Sequence, residues 1–117
     1  GGILDADLNK LRRILINLVK NAAEVLHDHD TASPAITLGA TRTDRAVVFN
    51  VVDNGPGIPE SVRDIIFDPF VTKDKANGTG LGLAIVKQFV EAHGGHISFT
   101  SSPNGTIFTF TIPQPIP

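Results

Sequence analysis

The chain has 117 residues, 41% of them hydrophobic and 19% charged, which fits one domain with enough apolar material for a core. A net charge of −2 without a basic stripe argues against a nucleic-acid footprint. Cys is absent, so disulfides and thiolate metal sites are excluded, and no run has the length of a membrane span or the pattern of a secretory signal.

In chain order, Asp7 is placed to cap a helix over residues 8–26 or 8–27. At about 100° per residue, Leu11, Ile14, Leu15, Leu18, Val19, Ala22, Val25 and Leu26 share an arc about 140° wide, the predicted core face. Residues 28–34 are polar and turn-like. Residues 35–40 and 46–53 read as strands joined by a polar hairpin over 41–45. A Gly/Pro turn over 54–59 leads to a short helix over 60–66. Residues 67–77 read as irregular, broken by Pro69. A second long helix spans 80–93 and ends at Gly94-Gly95. Residues 96–101 and 106–112 form a second hairpin around Pro103-Asn104-Gly105. Antiparallel strand pairs with helices in both halves predict one mixed sheet covered on one face by helices.

The most distinctive string is Asn77-Gly78-Thr79-Gly80-Leu81-Gly82-Leu83-Ala84-Ile85-Val86-Lys87. Glycines at alternate positions let a backbone approach a phosphate closely, and the helix start that follows offers free N–H groups. A Walker A loop would need Lys-Ser or Lys-Thr after the last glycine, where Leu83-Ala84 stands. A dinucleotide fingerprint would need a preceding strand and a glycine at position 83, and has neither. What remains is a polyphosphate-binding turn or a plain flexible helix start.

Three further groups bear on that choice. Asn17 and Asn21, four apart, sit at one border of the apolar arc, and their amide oxygens suit Mg²⁺; the alternative is a solvated helix edge. Asp53 ends an apolar strand and is followed by Asn54-Gly55-Pro56-Gly57-Ile58-Pro59. A carboxylate there needs a donor, which an adenine amino group or its own turn can supply. Phe67-Asp68-Pro69-Phe70, followed by Lys73 and Lys75, suits either a lid over phosphates or a surface loop pinned by two rings.

Taken in order, Asn17-Leu18-Val19-Lys20-Asn21-Ala22, Asp53-Asn54-Gly55-Pro56-Gly57, Phe67-Asp68-Pro69-Phe70 and Gly78-Thr79-Gly80-Leu81-Gly82 resemble the N, G1, F and G2 boxes of the catalytic ATP-binding domain of two-component sensor histidine kinases. Gly105-Thr106 before Phe108 and Glu91-Ala92-His93-Gly94-Gly95 fit the same family, and the resemblance covers residues 7–113. It implies a Bergerat-type α/β two-layer sandwich, with a mixed, largely antiparallel sheet under three helices, as one domain over residues 1–117. It also implies that Asn21 ligates Mg²⁺ beside Asn17, and that Asp53 accepts the adenine amino hydrogen, with a bridging water beside it. Gly55, Gly57, Ile58 and Thr106 would frame the base. Phe70, Gly78, Thr79, Gly80, Leu81 and Gly82 would form the lid and its hinge, with Lys73 and Lys20 as phosphate cations.

The resemblance implies ATP and Mg²⁺ as cofactors and transfer of the γ-phosphoryl group to a histidine. That histidine lies in a separate dimerisation domain, and a response regulator acts downstream. Gyrase-type, mismatch-repair and chaperone relatives carry a Glu base one turn before the metal Asn; here that position is Asn17. His27, His29, His93 and His96 do not stand where the family's acceptor histidine does. The expectation is therefore a cytoplasmic catalytic fragment, monomeric alone and part of a homodimeric kinase, that does not phosphorylate itself and touches neither nucleic acid nor membrane. The full-length protein could be a membrane-bound sensor whose cytoplasmic part this is. The competing readings are a self-sufficient ATPase of the same fold and a nucleotide-free interaction module.

Overall fold

A 27-residue helix, α1 (Gly2–Asp28), opens the fold in the computed structural model, which describes residues 2–69 and 82–113, with side chains from residue 8. No Pro or Gly interrupts residues 3–28, so the helix runs back through the position expected to cap it. Asp7 is therefore an interior residue of α1 and not its cap. The predicted apolar arc is the buried one: Ile14, Leu18, Ala22 and Leu26 are buried, and Leu11, Leu15, Val19 and Val25 are half-buried.

Both long helices end in the same device. In α2 (Gly82–Ala92), Gly95 N–H donates to Val90 O at 2.9 Å and Gly94 N–H to Glu91 O at 3.0 Å, with Gly94 at φ 80°. In α1, Thr31 N–H donates to Leu26 O at 3.1 Å and Asp30 N–H to His27 O at 3.2 Å, with Asp30 at φ 48°. These are Schellman closures, which satisfy carbonyls that the last turn leaves unpaired. Gly94 adopts the left-handed conformation freely; Asp30 does so against its own Cβ.

Four strands follow α1: β1 (Ile36–Arg42), β2 (Ala46–Asp53), β3 (His96–Ser102) and β4 (Gly105–Pro113). They form one sheet in the order β1-β2-β4-β3, and every pair is antiparallel, so the parallel pairing that a mixed sheet would contain is absent among the described strands. Strand β1 runs two residues further than the polar sequence suggested. Thr43 explains the extension: its Oγ1 accepts from Ala46 N–H at 3.0 Å and its N–H donates to Ala46 O at 2.8 Å. A short 3₁₀ helix (Glu60–Ile65) stands where a short helix was expected, followed by buried Ile66.

The helices cover one face of this sheet, α1 over β1 and β2 and α2 over β3 and β4, and they pack on each other. Strand alternation sends Phe49 and Val51 of β2, and Phe108 and Phe110 of β4, to that face. There they meet Ile14 and Leu18 from α1 and Val86 and Val90 from α2. Phe49 stacks on Phe110 with ring centroids 4.8 Å apart. The result is the expected two-layer α/β sandwich.

Replacing Asp30 by Gly should relieve the left-handed strain at the end of α1. The expected gain is about 0.5–1 kcal/mol of unfolding free energy. Urea titration followed by far-ultraviolet circular dichroism checks it, and a loss of stability would refute the strain assignment.

Candidate functional site

β2 delivers Asp53 to the helix-covered face, where it is 8% exposed. Its Oδ1 accepts the N–H of Gly55 at 2.9 Å, so one carboxylate oxygen does cap its own turn. Among the described residues no other donor reaches this carboxylate, and Oδ2 keeps its capacity to accept.

Thr106 stands directly across the ladder from Asp53 and is 3% exposed. Its Oγ1 lies 3.1 Å from Ser101 Oγ. Ser101 Oγ in turn accepts the N–H of Ile58 at 2.7 Å, and the Ile58 carbonyl accepts from Arg63 Nε at 2.9 Å. One chain of hydrogen bonds thus ties the ends of β3 and β4 to the Gly/Pro loop. Gly57 has φ 86°, and a Cβ there would strike the Ser102 carbonyl and lie 2.9 Å from Ser101 Oγ. Gly105, at φ 147°, lies against the Asp53 carbonyl in the same way. These contacts hold the loop tightly to the β3–β4 hairpin.

The loop also rests on α1. A Cβ on Gly55 would lie 3.3 Å from Leu26 Cδ2 and 3.6 Å from Val25 Cγ1. Val25 is four residues beyond Asn21 and eight beyond Asn17, so the three lie along one helical stripe. Asn21 is about 6 Å and Asn17 about 12 Å along the axis from the loop contact. Both asparagines are half-buried, and no described residue hydrogen-bonds their side chains. Their amide oxygens fit a hard cation that prefers oxygen ligands. Lys20, between them in sequence, is exposed.

Phe67 is fixed at the start of the segment read as a lid. Its ring centroid is 6.2 Å from those of both Phe99 and Phe108, and Lys87 Nζ lies 5.9 Å over the ring. Phe70, Lys73, Lys75, Gly78, Thr79, Gly80 and Leu81 lie outside the described residues. Gly82 is the first residue of α2, and a methyl group added to it would meet no described atom within 4 Å. Of the histidines, His93 stacks on Phe89 at 4.2 Å and places Nδ1 2.9 Å from its carbonyl, and His29 Nδ1 lies 3.1 Å from the Val25 carbonyl. Both are helix-end contacts. A groove of about 450 Å³ lined by Ala23, Leu26, His27 and Ile36 lies around α1 from the asparagine stripe. Among the described residues no group of three His, Cys, Asp or Glu could hold a metal ion.

A buried strand-end carboxylate thus lies beside a glycine loop that rests on a helix carrying two half-buried amides. Residues 6–116 fit the family described as histidine kinase-, DNA gyrase B- and HSP90-like ATPases. The chain belongs to that family. It is 40% identical over 118 residues to the sensory histidine kinase/phosphatase NtrB of Azospirillum brasilense, covering 91% of this chain and 29% of that protein. Among solved structures it resembles the catalytic domain of the histidine kinase ThkA in a nucleotide-free form, at 36% identity and a TM-score of 0.76, over 90% of this chain and 67% of that one. It also resembles full-length ShkA in complex with AMPPNP, at 35% identity and a TM-score of 0.73, over 88% of this chain and 21% of that one. The chain spans about a third or less of the curated relatives it matches. Membership brings the ATP-binding sandwich, and the relatives are named sensor kinases.

Three side chains at this site were not singled out from the sequence: Ser101, Arg63 and Lys87. Ser101 had a signal, because it follows Ile97 and Phe99 at period two and so falls on the apolar face. Lys87 had none, since its contact with Phe67 joins residues brought together by the tertiary fold, and Arg63 reaches back five residues to the Ile58 carbonyl, a contact that no periodicity marks.

Gly57→Ala should cost about 1–3 kcal/mol of stability, through a strained φ and a collision with the Ser102 carbonyl. Gly82→Ala should cost nothing measurable, since the space around it is open among the described residues. Thermal melts of both variants check the contrast, and equal losses would contradict it.

Proposed function

We propose that this chain binds Mg-ATP and donates its γ-phosphoryl group to a histidine on a dimerisation domain of the same kinase. The carrying observation is the meeting of two groups at one loop: the Asp53–Thr106 pair, and the Asn17–Asn21–Val25 stripe that touches Gly55. An acceptor oxygen at one end suits the adenine amino group, with a water bridging to Thr106. Amide oxygens farther along α1 suit the metal and phosphate end. Membership of the ATPase family and the AMPPNP complex of ShkA support the nucleotide, and the names of the relatives support the kinase.

In this reading Asp53 and the loop of Gly55, Gly57 and Ile58 orient the base. Asn21 ligates Mg²⁺, with Asn17 beside it and Lys20 near the phosphates. Mg²⁺ supplies neutralisation of the charge that develops on the transferring phosphoryl group. Phe70, Lys73, Gly78, Thr79, Gly80, Leu81 and Gly82 contribute the lid. Catalysis is positioning, with the γ-phosphorus presented in line to an imidazole nitrogen of the acceptor. Asn17 stands where gyrase-type relatives carry a carboxylate base, so water is not activated and transfer to histidine dominates over hydrolysis. A response regulator receives the phosphoryl group downstream. The kinase acts as a homodimer at the cytoplasm, and no helix among the described residues is long and apolar enough to cross a membrane.

Incubating the chain and γ-labelled ATP with a separate acceptor-histidine dimerisation domain tests this. Acid-labile label should appear on that domain and not on this chain. Rapid phosphate release without labelling would favour the ATPase reading instead. Asp53→Asn turns an acceptor partly into a donor and should weaken ATP binding about 10- to 100-fold, the weight of a charged hydrogen bond. Calorimetry measures it, and unchanged affinity would remove Asp53 from the site. Asn21→Ala should weaken binding in Mg²⁺ more than binding in chelator, and an equal loss in both would make Asn21 structural.

A further inference from the structure

Asn-Gly occurs three times in the chain, at Asn54-Gly55, Asn77-Gly78 and Asn104-Gly105. Asn77-Gly78 lies outside the described residues. The dipeptide carries its own chemistry, because glycine has no Cβ to shield the backbone nitrogen that follows the asparagine. When that N–H loses its proton to hydroxide, the nitrogen attacks the asparagine Cγ. The bond from Cγ to Nδ2 breaks, ammonia leaves and a cyclic imide forms. Water then opens the ring at either carbonyl. One opening gives aspartate. The other gives isoaspartate, in which the chain runs through Cβ and Cγ and so gains a methylene. Water and hydroxide are the only co-reactants, and nothing is oxidised or reduced.

The fold treats the two described copies differently. Both asparagines are exposed, so exposure does not separate them. Asn54 is held at both atoms of its amide: Oδ1 accepts the Ala35 N–H at 2.8 Å, and Nδ2 donates to the Ser33 carbonyl at 2.9 Å. Gly55 is buried and gives its N–H to Asp53 Oδ1 at 2.9 Å. All three hydrogen bonds must open before this nitrogen reaches this Cγ. The Asp53 carboxylate also opposes loss of the proton that it accepts. Asn104 lies in the exposed turn between β3 and β4, and no described residue hydrogen-bonds its side chain. Its backbone N–H is taken by Ser102 Oγ at 3.1 Å, which leaves the side chain free to turn. Gly105 pairs with Ser102 as the last rung of the ladder, so at most one bond holds its N–H.

We propose that Asn104-Gly105 is a site of spontaneous modification, where Asn104 becomes isoaspartate, and that the hydrogen bonds around Asn54-Gly55 protect the same dipeptide beside Asp53. The place of the turn gives the change a consequence. A Cβ on Gly105 would lie 3.3 Å from Asn54 Cα and closer still to the Asp53 carbonyl, and a Cβ on Gly57 would strike the Ser102 carbonyl. Both ends of the turn are thus packed against the loop that follows Asp53. A backbone lengthened between those ends strains that contact and displaces the loop. On the reading that Asp53 and this loop hold the base, the displacement weakens nucleotide binding.

Ageing the full chain in warm, mildly alkaline buffer, with and without urea, tests the site. Peptide mass spectrometry with fragmentation that distinguishes isoaspartate reads each position. One hydrogen bond favours the closed form about three- to tenfold. Asn54-Gly55 has at least two more to open, so Asn104 should convert about 10- to 100-fold faster in the native chain. In urea the two rates should converge, because the dipeptide is the same. Equal native rates overturn the proposal. So does a ratio that urea leaves unchanged, since the protection would then lie in local sequence and not in the hydrogen bonds. Calorimetry and thermal melting of the fraction modified at 104 alone test the consequence. That fraction should melt below fresh chain and bind Mg-ATP about three- to tenfold more weakly, the weight of one hydrogen bond. Asn104→Asp, which adds the charge without the methylene, should match fresh chain in both. Unchanged melting and affinity of the isoaspartyl chain overturn the displacement of the loop. Fresh chain that binds no ATP removes the nucleotide reading, while the rates at 54 and 104 and the melting shift still decide the proposal.

Discussion

Pairing of β2 with β4 sets Asp53 opposite Thr106, Val51 opposite Phe108 and Phe49 opposite Phe110 in one continuous register. Side chains on a strand alternate faces, so a slip of one residue would turn Asp53 out to solvent and the phenylalanines with it. The register that builds the core is therefore the register that builds the candidate site. Burial of Phe108 and Phe110 under α1 and α2 holds the strand pair, and with it the carboxylate, in place. Gly105 belongs to this constraint, since its close approach to the Asp53 carbonyl fixes where β4 begins.

The candidate site draws on two kinds of scaffold. Sheet and loop supply the fixed hydrogen-bond pattern: Thr106, Ser101 and Ile58 are joined through short polar contacts, and Asp53 accepts the N–H of Gly55. The helix supplies amides with no partner among the described residues, which a ligand can engage without displacing one of those residues. Phe67 links the sheet to the second helix through its aromatic neighbours and Lys87.

Much of this was legible in the sequence because it depends on local periodicity. The bounds of β2 were readable at both ends, since the apolar run from Ala46 meets polar residues on one side and Asn54-Gly55 on the other. Asn17 and Asn21 were readable as a helix border, and the structure leaves both half-buried. Asp7 misled because an aspartate ahead of an apolar helical run reads as a cap, and residue type alone does not show that the helix continues upstream of it. The length of β1 depended on the Thr43 side chain, and the end of α1 on Asp30 accepting a conformation that usually calls for glycine. The contact of Gly55 with Val25 and the bond from Ser101 to Ile58 were not readable, because each joins residues brought together only by the tertiary fold.

The stripe from Asn17 to Val25 also makes α1 a measuring rod. One residue inserted between them would advance the helix by about 1.5 Å and rotate everything upstream by about 100°. The asparagines would then leave the border of the apolar face while Val25 stayed on the loop. The turn between β1 and β2 has no such duty, and lengthening it would cost only loop-closure entropy of a few tenths of a kcal/mol, on the order of that for any modest loop extension. These two segments thus differ sharply in the insertions and deletions they can absorb: drift in length is open to the hairpin and closed to the helix.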